Sequence, residues 1–438
     1  MRKGSTLLNG SWAVIGKLFV FLSNFIINIL IVRMLVPTDV GSYFTYVSAI
    51  TILASVLNLG FKEVFIHKLS SSLRRSEEEF VLTIRHFLYV PAYIGFLALV
   101  LIVSVIAICG LLFEVDVTLY LILVLYLVIS NFQQYLAEVY RVLGDVKRSV
   151  LLGSLITNLS MVIVLFSAFI STEDISIRFI FAVFLISASI PACLGLISLN
   201  KKFSIYRSGS VNPEWSDLVR KAFPFFLSIV GLMLIQESYV WVTQALYDSR
   251  EVALIGAAFR FIGIIAFPIT ILSFFVTPII AQLTASNKLI KLELLIRTLS
   301  FIFFIPSALA YLFFVFLGSE ILVLLFGDHY EQAYFCLVII CSGQLINIAT
   351  GCNGSYLIVR GQGKVLMRAT LIGGAFSLAM MIILGILFQI QGVAAGYAIG
   401  VAFVGVYSAV KIYKVDGVKT WIFPILKPRQ IFRIVTLK

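Results

Sequence analysis

The chain has 438 residues, 61% of them hydrophobic and 12% charged, with a mean hydropathy of +1.07. That balance excludes an ordinary soluble domain and indicates an integral membrane protein. The excess of 33 Lys and Arg over 21 Asp and Glu would point to nucleic acid in a soluble chain, whereas here its distribution sets the orientation of the helices.

Apolar runs between charged breaks predict spans near 11–33, 39–60, 83–113, 118–138, 150–170, 177–199, 222–245, 252–282, 298–317, 331–353, 368–388 and 392–412. A helix needs about 20 apolar residues to cross the hydrocarbon core, and each run approaches or exceeds that length. The N-terminus MRKGSTLLNGSWAVIGKL opens like a signal peptide, but its apolar stretch runs on to Val32 without a small-residue cleavage pattern, so it is kept as the first span. Lys17, Asn24 and Asn28 fall on one narrow face of that span, and Lys17 is near enough to its end to snorkel. Ser48, Thr51, Ser55 and Asn58 share a face of the second span.

One set of loops carries KEVFIHKLSSSLRR (62–75), RVLGDVKR (141–148), KKFSIYR (201–207), RK (220–221), KLIK (288–291) and RGQGK (360–364). The opposite set carries Glu114, Asp116, Glu173, Asp174, Asp248, Glu251, Glu320, Asp328 and Glu331 against Arg178 and Arg250. By the positive-inside rule the first set and both termini are cytoplasmic. The longest outward loop is GSEILVLLFGDHYEQ (318–332). The closing TWIFPILKPRQIFRIVTLK mixes aromatic and basic residues, which suits either the inner leaflet or a solvated tail.

RVLGDV (141–146) and RGQGKV (360–365) share R-x-x-G-x-V at a spacing of 219, half the chain. Six spans restore the starting orientation, so the expected plan is two parallel six-helix lobes related by a pseudo-two-fold axis along the membrane normal, with substrate sites between them. The lobes are 1–200 and 222–413, joined by a cytoplasmic linker at 201–221 with Gly209 and Pro213 and followed by a basic tail at 414–438.

In the seventh span Glu237, Trp241 and Gln244 align, and Arg260 follows in the eighth between Gly256 and Gly263. Glu237 and Arg260 each lie roughly 12–14 Å from the outer helix ends, so they can be neighbours. A charge at that depth costs about 2.5–3.5 kcal/mol, and pairing or water must relieve it. The pair is either a cleft-facing site or a static ion pair that pins two helices. Pro268, Pro278 and Pro306 predict kinks, and Gly392, Gly396 and Gly400 predict a closely packed ridge.

No Walker loop, no G-x-S-x-G, no HExxH and no large soluble loop is present in the sequence. His67, His86 and His329 are scattered, and Cys109, Cys193, Cys336, Cys341 and Cys352 lie in apolar segments without ligand spacing. The reading is therefore a non-enzyme with no cofactor and no metal.

VRMLVPTDVGSYFTYVSAITILASVLNLGF (32–61), EVALIGAAFRFIGI (251–264), LFGDHYEQAYFCL (325–337), RGQGK (360–364) and GVAAGYAIG (392–400) together resemble the polysaccharide biosynthesis flippases, the Wzx-type O-antigen and repeat-unit transporters of the multidrug/oligosaccharidyl-lipid/polysaccharide (MOP) exporter superfamily. The family's Leu-Gly-Pro after the first span is Leu35-Val36-Pro37 here. The resemblance implies twelve helices in two lobes around a cationic cavity. It also implies a bacterial inner-membrane location and passage of an undecaprenyl-diphosphate-linked oligosaccharide, for O-antigen or lipopolysaccharide, from the cytoplasmic to the periplasmic leaflet. Arg260 sits in the matching eighth-helix stretch; Lys17 carries over less directly, and Glu237 comes from depth alone. The candidate cavity residues are thus Arg260, Glu237, Lys17, Asn24, Asn28, Asn58 and Gln244. Expected partners are the lipid-linked oligosaccharide, the bilayer, H+ or Na+ as coupling ion, and the polysaccharide polymerase machinery, with no nucleic acid. The alternatives are a cation-coupled multidrug exporter of the same superfamily and a membrane-embedded polymerase or ligase, the latter disfavoured by short outward loops. A major-facilitator signature is not recognisable in KEVFIHKLSSSLRRSEE (62–78).

Overall fold

The computed structural model describes residues 3–58, 60–72, 77–112, 116–171, 175–203, 215–286 and 288–422, and among them there is no strand. Among the described residues eleven helical stretches are long and apolar enough to cross a membrane. The last of these, Gly363–Asp416, is two helices joined at the non-helical residues Phe388 and Gln389, so the crossings number twelve. The chain is an all-helical membrane protein of two six-helix lobes. It divides into two compact units, residues 1–226 and 227–438.

Unit 1 is built from α1 (Lys3–Met34), α2 (Pro37–Asn58), α3 (Phe61–Ser72), α4 (Glu77–Leu112), α5 (Val117–Val142), α6 (Val146–Val150), α7 (Ile156–Ile170), α8 (Ile177–Phe203) and the start of α9 (Trp215–Gln236). The basic stretch after the second span, expected as a loop, is the helix α3. Its apolar residues Phe61, Phe65 and Leu69 recur every four residues and are all buried, packing with Phe80, Phe87, Tyr135, Tyr140 and Leu199. Twelve residues cannot cross a bilayer, so α3 packs on α4 and α5 without forming a span of its own. Ala222 of α9 joins the same cluster, and a Cβ on Gly60 (φ +72) would strike its carbonyl. The division between units consequently falls inside α9, whereas most of the expected linker at 201–221 lies outside the described residues.

Unit 2 holds the rest of α9, then α10 (Ser238–Leu246), α11 (Ser249–Phe259), α12 (Ile262–Ala285), α13 (Leu289–Phe326), α14 (Tyr334–Ala349), α15 (Asn353–Val359) and α16 (Gly363–Asp416). The outward loop expected at 318–332 is mostly helical, because α13 continues to Phe326 and a 3-10 turn covers Asp328–Ala333. Helix runs through Pro268, Pro278 and Pro306, and the backbone breaks elsewhere, at Arg260–Phe261 and at Leu317. Near Pro268 the buried Ser307 hydroxyl donates to the Ile265 carbonyl at 2.8 Å, satisfying a backbone group in the turn that the proline weakens. The ridge Gly392, Gly396 and Gly400 packs on Leu384, Met381 and Ser377 of the preceding half of α16, leaving no room for side chains.

The two halves share a helix-ending turn, but not at the spacing of 219 that the letters suggest. Leu143→Val139, Gly144→Arg141 and Asp145→Tyr140 backbone bonds in unit 1 are matched by Arg360→Tyr356, Gly361→Ile358 and Gln362→Leu357 in unit 2. Gly144 and Gly361 both take positive φ, 79° and 69°, in the same helix-ending turn. Equivalence is therefore at 217, and the letters aligned at 219 place Gly144 against Gly363, which starts a helix instead.

Arg360 and Gln362 of RGQGK serve a structural end. Together with the Tyr356 hydroxyl they donate to the Asp416 carboxylate at 2.8–2.9 Å, closing α15 onto the end of α16. That hydrogen bond raises the Arg360 pKa above its ordinary value against the opposing effect of burial. The chain then folds back: the Lys419 N–H donates to Glu293, Arg297 donates to the Trp421 carbonyl, and Thr420 is fully buried. The start of the tail is thus pinned to the bundle, and residues 423–438 lie outside the described residues.

Two outcomes follow. Asp416→Ala removes the acceptor of three donors, one of them a partly buried guanidinium, and is expected to lower stability by about 1–3 kcal/mol after allowance for solvent at Arg360, measured as thermal unfolding in detergent. Gly396→Leu should abolish monodisperse protein on size exclusion, while Gly354→Ala, where an added Cβ meets nothing within 4 Å, should not.

Candidate functional site

The two charges expected deep in the seventh and eighth spans both sit at helix breaks. α9 stops at Gln236, Glu237 adopts φ −113° and ψ −19°, and α10 starts at Ser238. Arg260 ends α11, and its N–H and that of Phe261 bond three residues back, to Ala257 and Ala258, before α12 begins. Tightening of this kind leaves backbone carbonyls outside the regular ladder, which a span tolerates where protein or water supplies partners.

Aromatic packing holds the residues on either side of Arg260. Phe259 stacks on Tyr239 with ring centroids 3.5 Å apart and meets Tyr397 edge-on at 4.6 Å. Phe261 is turned the other way, onto Phe314 and Phe326 at 5.3 and 5.8 Å. Between these two anchors lies Arg260, half-buried and within reach of the buried Tyr239 hydroxyl. Glu237, also half-buried, lies close enough to act electrostatically on the same hydroxyl. The structure therefore brings Glu237, Tyr239 and Arg260 together around one phenol. Gln244 lies two turns beyond Glu237, about 10 Å along the helix, where its side-chain oxygen accepts from Ser249 at 3.4 Å and ties α10 to α11.

In unit 1 the polar stripe of α1 divides. Asn158 of α7 donates to Ser23 and to the Asn24 side-chain oxygen at 3.0 and 3.1 Å, so Asn24 helps hold α1 to α7. Asn28 donates back to the Asn24 carbonyl at 2.7 Å, within its own helix. Lys17 is exposed, and Asn58 is half-buried at the end of α2. Thr51 and Ser55 return their hydroxyls to carbonyls one turn back, leaving less polar capacity on the second span than its sequence suggests.

The family model described as polysaccharide biosynthesis protein matches residues 6–284, more than half of the chain. The chain belongs to that family, within the MOP superfamily. No curated protein matches. Among solved structures it is similar to an inward-facing multidrug-resistance MATE family transporter of the MOP superfamily, at 15% identity and TM-score 0.71, covering 91% of this chain and 96% of that one. It is similar to a MOP superfamily transporter from Pyrococcus furiosus, described as having a binding pocket of reverse polarity, at 15% identity and TM-score 0.63 over 96% and 99%. A point mutant of the Vibrio cholerae MATE transporter VcmN matches at 15% identity and TM-score 0.59 over 94% and 99%. At such identity these likenesses establish the fold.

Within this family member, sequence reasoning missed Tyr239, Asn158 and Gln133. A tyrosine two residues after Glu237 would face away from it on an unbroken helix, and only the break at Glu237 brings the two to one place. Gln133 donates to the Leu152 carbonyl and to Thr157, both at 2.7 Å, across the π-helical turn Leu151–Leu155 that joins α6 to α7. A polar residue in an apolar span was the available signal for both amides.

Tyr239→Phe keeps the ring stacked on Phe259 but removes the partner of a charged donor. Stability is expected to fall by about 1.5–3 kcal/mol, and a double-mutant cycle with Arg260→Met should show coupling of roughly 1 kcal/mol or more, read from unfolding in detergent.

Proposed function

We propose that this membrane transporter of the MOP superfamily is a flippase for an undecaprenyl-diphosphate-linked oligosaccharide, carrying it from the cytoplasmic to the periplasmic leaflet of a bacterial inner membrane by alternating access. The observation that carries the reading is the family match together with a half-buried arginine held within a span by aromatic packing. A diphosphate sugar cannot enter hydrocarbon unaided, since stripping water from its charge costs many kcal/mol, whereas its prenyl tail is at home in lipid. A guanidinium presents planar donors suited to phosphate oxygens, and Tyr239 limits the freedom it must lose on binding. The unequal burden on the two ends of the substrate thus matches a protein that handles the head group and leaves the tail to the bilayer. As further polar contacts for the head group the reading includes Gln244 of unit 2 and, in unit 1, Lys17, Asn58, Asn24 and Asn28, the last two beyond the bonds they make to Asn158 and within α1.

Glu237 beside the same phenol favours a second reading, cation-coupled export of a small molecule, in which the carboxylate takes up a proton or Na+. The solved structures with this fold include multidrug transporters.

The two readings separate by experiment. In a deletion strain complemented with the Arg260→Ala variant, surface polysaccharide should be lost and lipid-linked oligosaccharide should accumulate in the inner leaflet, at normal levels of folded protein in the membrane. Arg260→Lys should restore part of it. Undiminished polymer with Arg260→Ala would remove the arginine from the site, and a strain whose only defect is drug sensitivity would favour the exporter.

A further inference from the structure

Unit 2 contains a helix break that the flippase reading does not use. α14 ends at Ala349, Gly351 takes a positive φ of 88°, and α15 starts at Asn353. A side chain at Gly351 would strike the Thr420 carbonyl, so only glycine fits the turn there. The break lies inside the tenth span predicted from the sequence, 331–353. Gly405 of α16 packs against it and stands seven residues inside the predicted end of the last span, about 10 Å along the helix.

Three polar side chains gather at this break, Asn347, Thr350 and Asn353. Thr350 and Asn353 are 7% and 6% exposed. The Thr350 hydroxyl donates to the Asn347 carbonyl at 2.6 Å. The Asn353 amide nitrogen donates to the Thr350 hydroxyl at 2.9 Å and to the Gly405 carbonyl at 3.0 Å, which spends both of its protons. Its oxygen, Oδ1, is buried and meets no hydrogen-bond partner among the described residues. A Cβ at Gly405 would fall 2.6 Å from Asn347 Oδ1 and 2.8 Å from Thr350 Oγ1, so these two oxygens meet the same spot on α16. The break thus gathers neutral oxygens where the protons of Thr350 and Asn353 are already committed, and an acceptor left unmatched within a span is costly.

We infer that the break between α14 and α15 is a binding site for one monovalent alkali cation, held by the side-chain oxygens of Asn347, Thr350 and Asn353. An interrupted helix frees carbonyls at its C-terminal end, and the helix dipole makes that end attractive to positive charge. Charge fixes the class of ion. Segments 334–359 and 385–410, which supply the oxygens, contain no Asp or Glu. Divalent cations take carboxylates or keep several of their waters, and side chains this buried leave little room for a hydrated ion. Neutral amide, hydroxyl and carbonyl oxygens are what an alkali cation accepts in place of its hydration shell. The site does not depend on the flippase reading. Its consequence is that a cation ties α14 and α15 together beside α16, where Asn353 already holds Gly405.

The test uses the full-length protein, purified in detergent and exchanged into choline chloride, with sodium, potassium, magnesium or further choline chloride added at equal ionic strength. Thermal unfolding reports stabilisation. Sodium or potassium should raise the unfolding midpoint saturably, and choline and magnesium should not. Asn353→Leu, which removes the unmatched oxygen, should abolish the rise. Asn347→Ala should increase the concentration needed for half the effect roughly fivefold or more, and it carries the test if Asn353→Leu does not fold. Asn353→Asp gives a readout that a purely structural role would not move: a carboxylate facing the Gly405 carbonyl should lower the midpoint in choline, and the alkali cation should restore it with a larger rise than in the wild type. Glu237→Gln should leave the rise intact, which separates this site from a cation taken up at Glu237. Absence of any rise, as an ordinary water at Asn353 would give, an equal rise in choline, a greater one in magnesium, wild-type saturation of Asn347→Ala, or a rise lost in Glu237→Gln but kept in Asn353→Leu would each overturn the assignment.

Discussion

Hydrocarbon offers no hydrogen-bond partner, so every polar group placed in a span of this chain must be satisfied by another part of the protein or by water in a protein-lined space. Most of the structure's polar detail follows from that constraint. Thr51, Ser55 and Thr270 return their hydroxyls to carbonyls one turn back. Asn158 reaches across to Ser23 and Asn24. Gln133 and Gln134 cover the carbonyls of the π-helical turn, and Ser307 covers one near a proline. These groups fasten helices to themselves or to each other and leave little over for a ligand.

Against that background Arg260 and Glu237 differ in kind. Both act on the buried Tyr239 hydroxyl. The breaks at Glu237 and at Arg260–Phe261 place both charges where the backbone ladder is itself interrupted, so polar side chain and polar backbone are concentrated in the same short stretch of unit 2. Phe259 stacked on Tyr239 and Phe261 edge-on to Phe314 pack on either side of it. The result, in a membrane transporter, is a polar point within a span whose geometry does not have to be assembled anew at each encounter.

The basic ends of the helices are handled differently in the two units. In unit 1 the short helix α3 packs on α4 and α5, held by three buried apolar side chains, with Lys62 and Arg141 both paired to Glu138. In unit 2 the corresponding work falls to the Asp416 network and to the returning segment around Thr420. The repeat is thus preserved in the helix-ending turns at Gly144 and Gly361 but not in what surrounds them. The arginines that the letters pair are not counterparts in that repeat: Arg141 corresponds to Ile358 and pairs along its own helix, whereas Arg360 closes one helix onto another.

By itself the sequence determined the twelve crossings and the presence of two charges within the seventh and eighth spans. Hydrophobic run length is a one-dimensional quantity that the bilayer reads directly, and the cost of a charge in hydrocarbon does not depend on knowing its neighbours. It could not determine the helix breaks, since neither lies at a proline, and both Pro268 and Pro306 sit in continuous helix. Nor could it show that 62–72 is a helix packed on others, that Asn24 is engaged by a residue 134 positions away, or that Tyr239 joins Glu237 and Arg260. Those outcomes rest on which side chains meet, and the 3.6-residue period that relates positions along a single helix carries no information across a break or between helices.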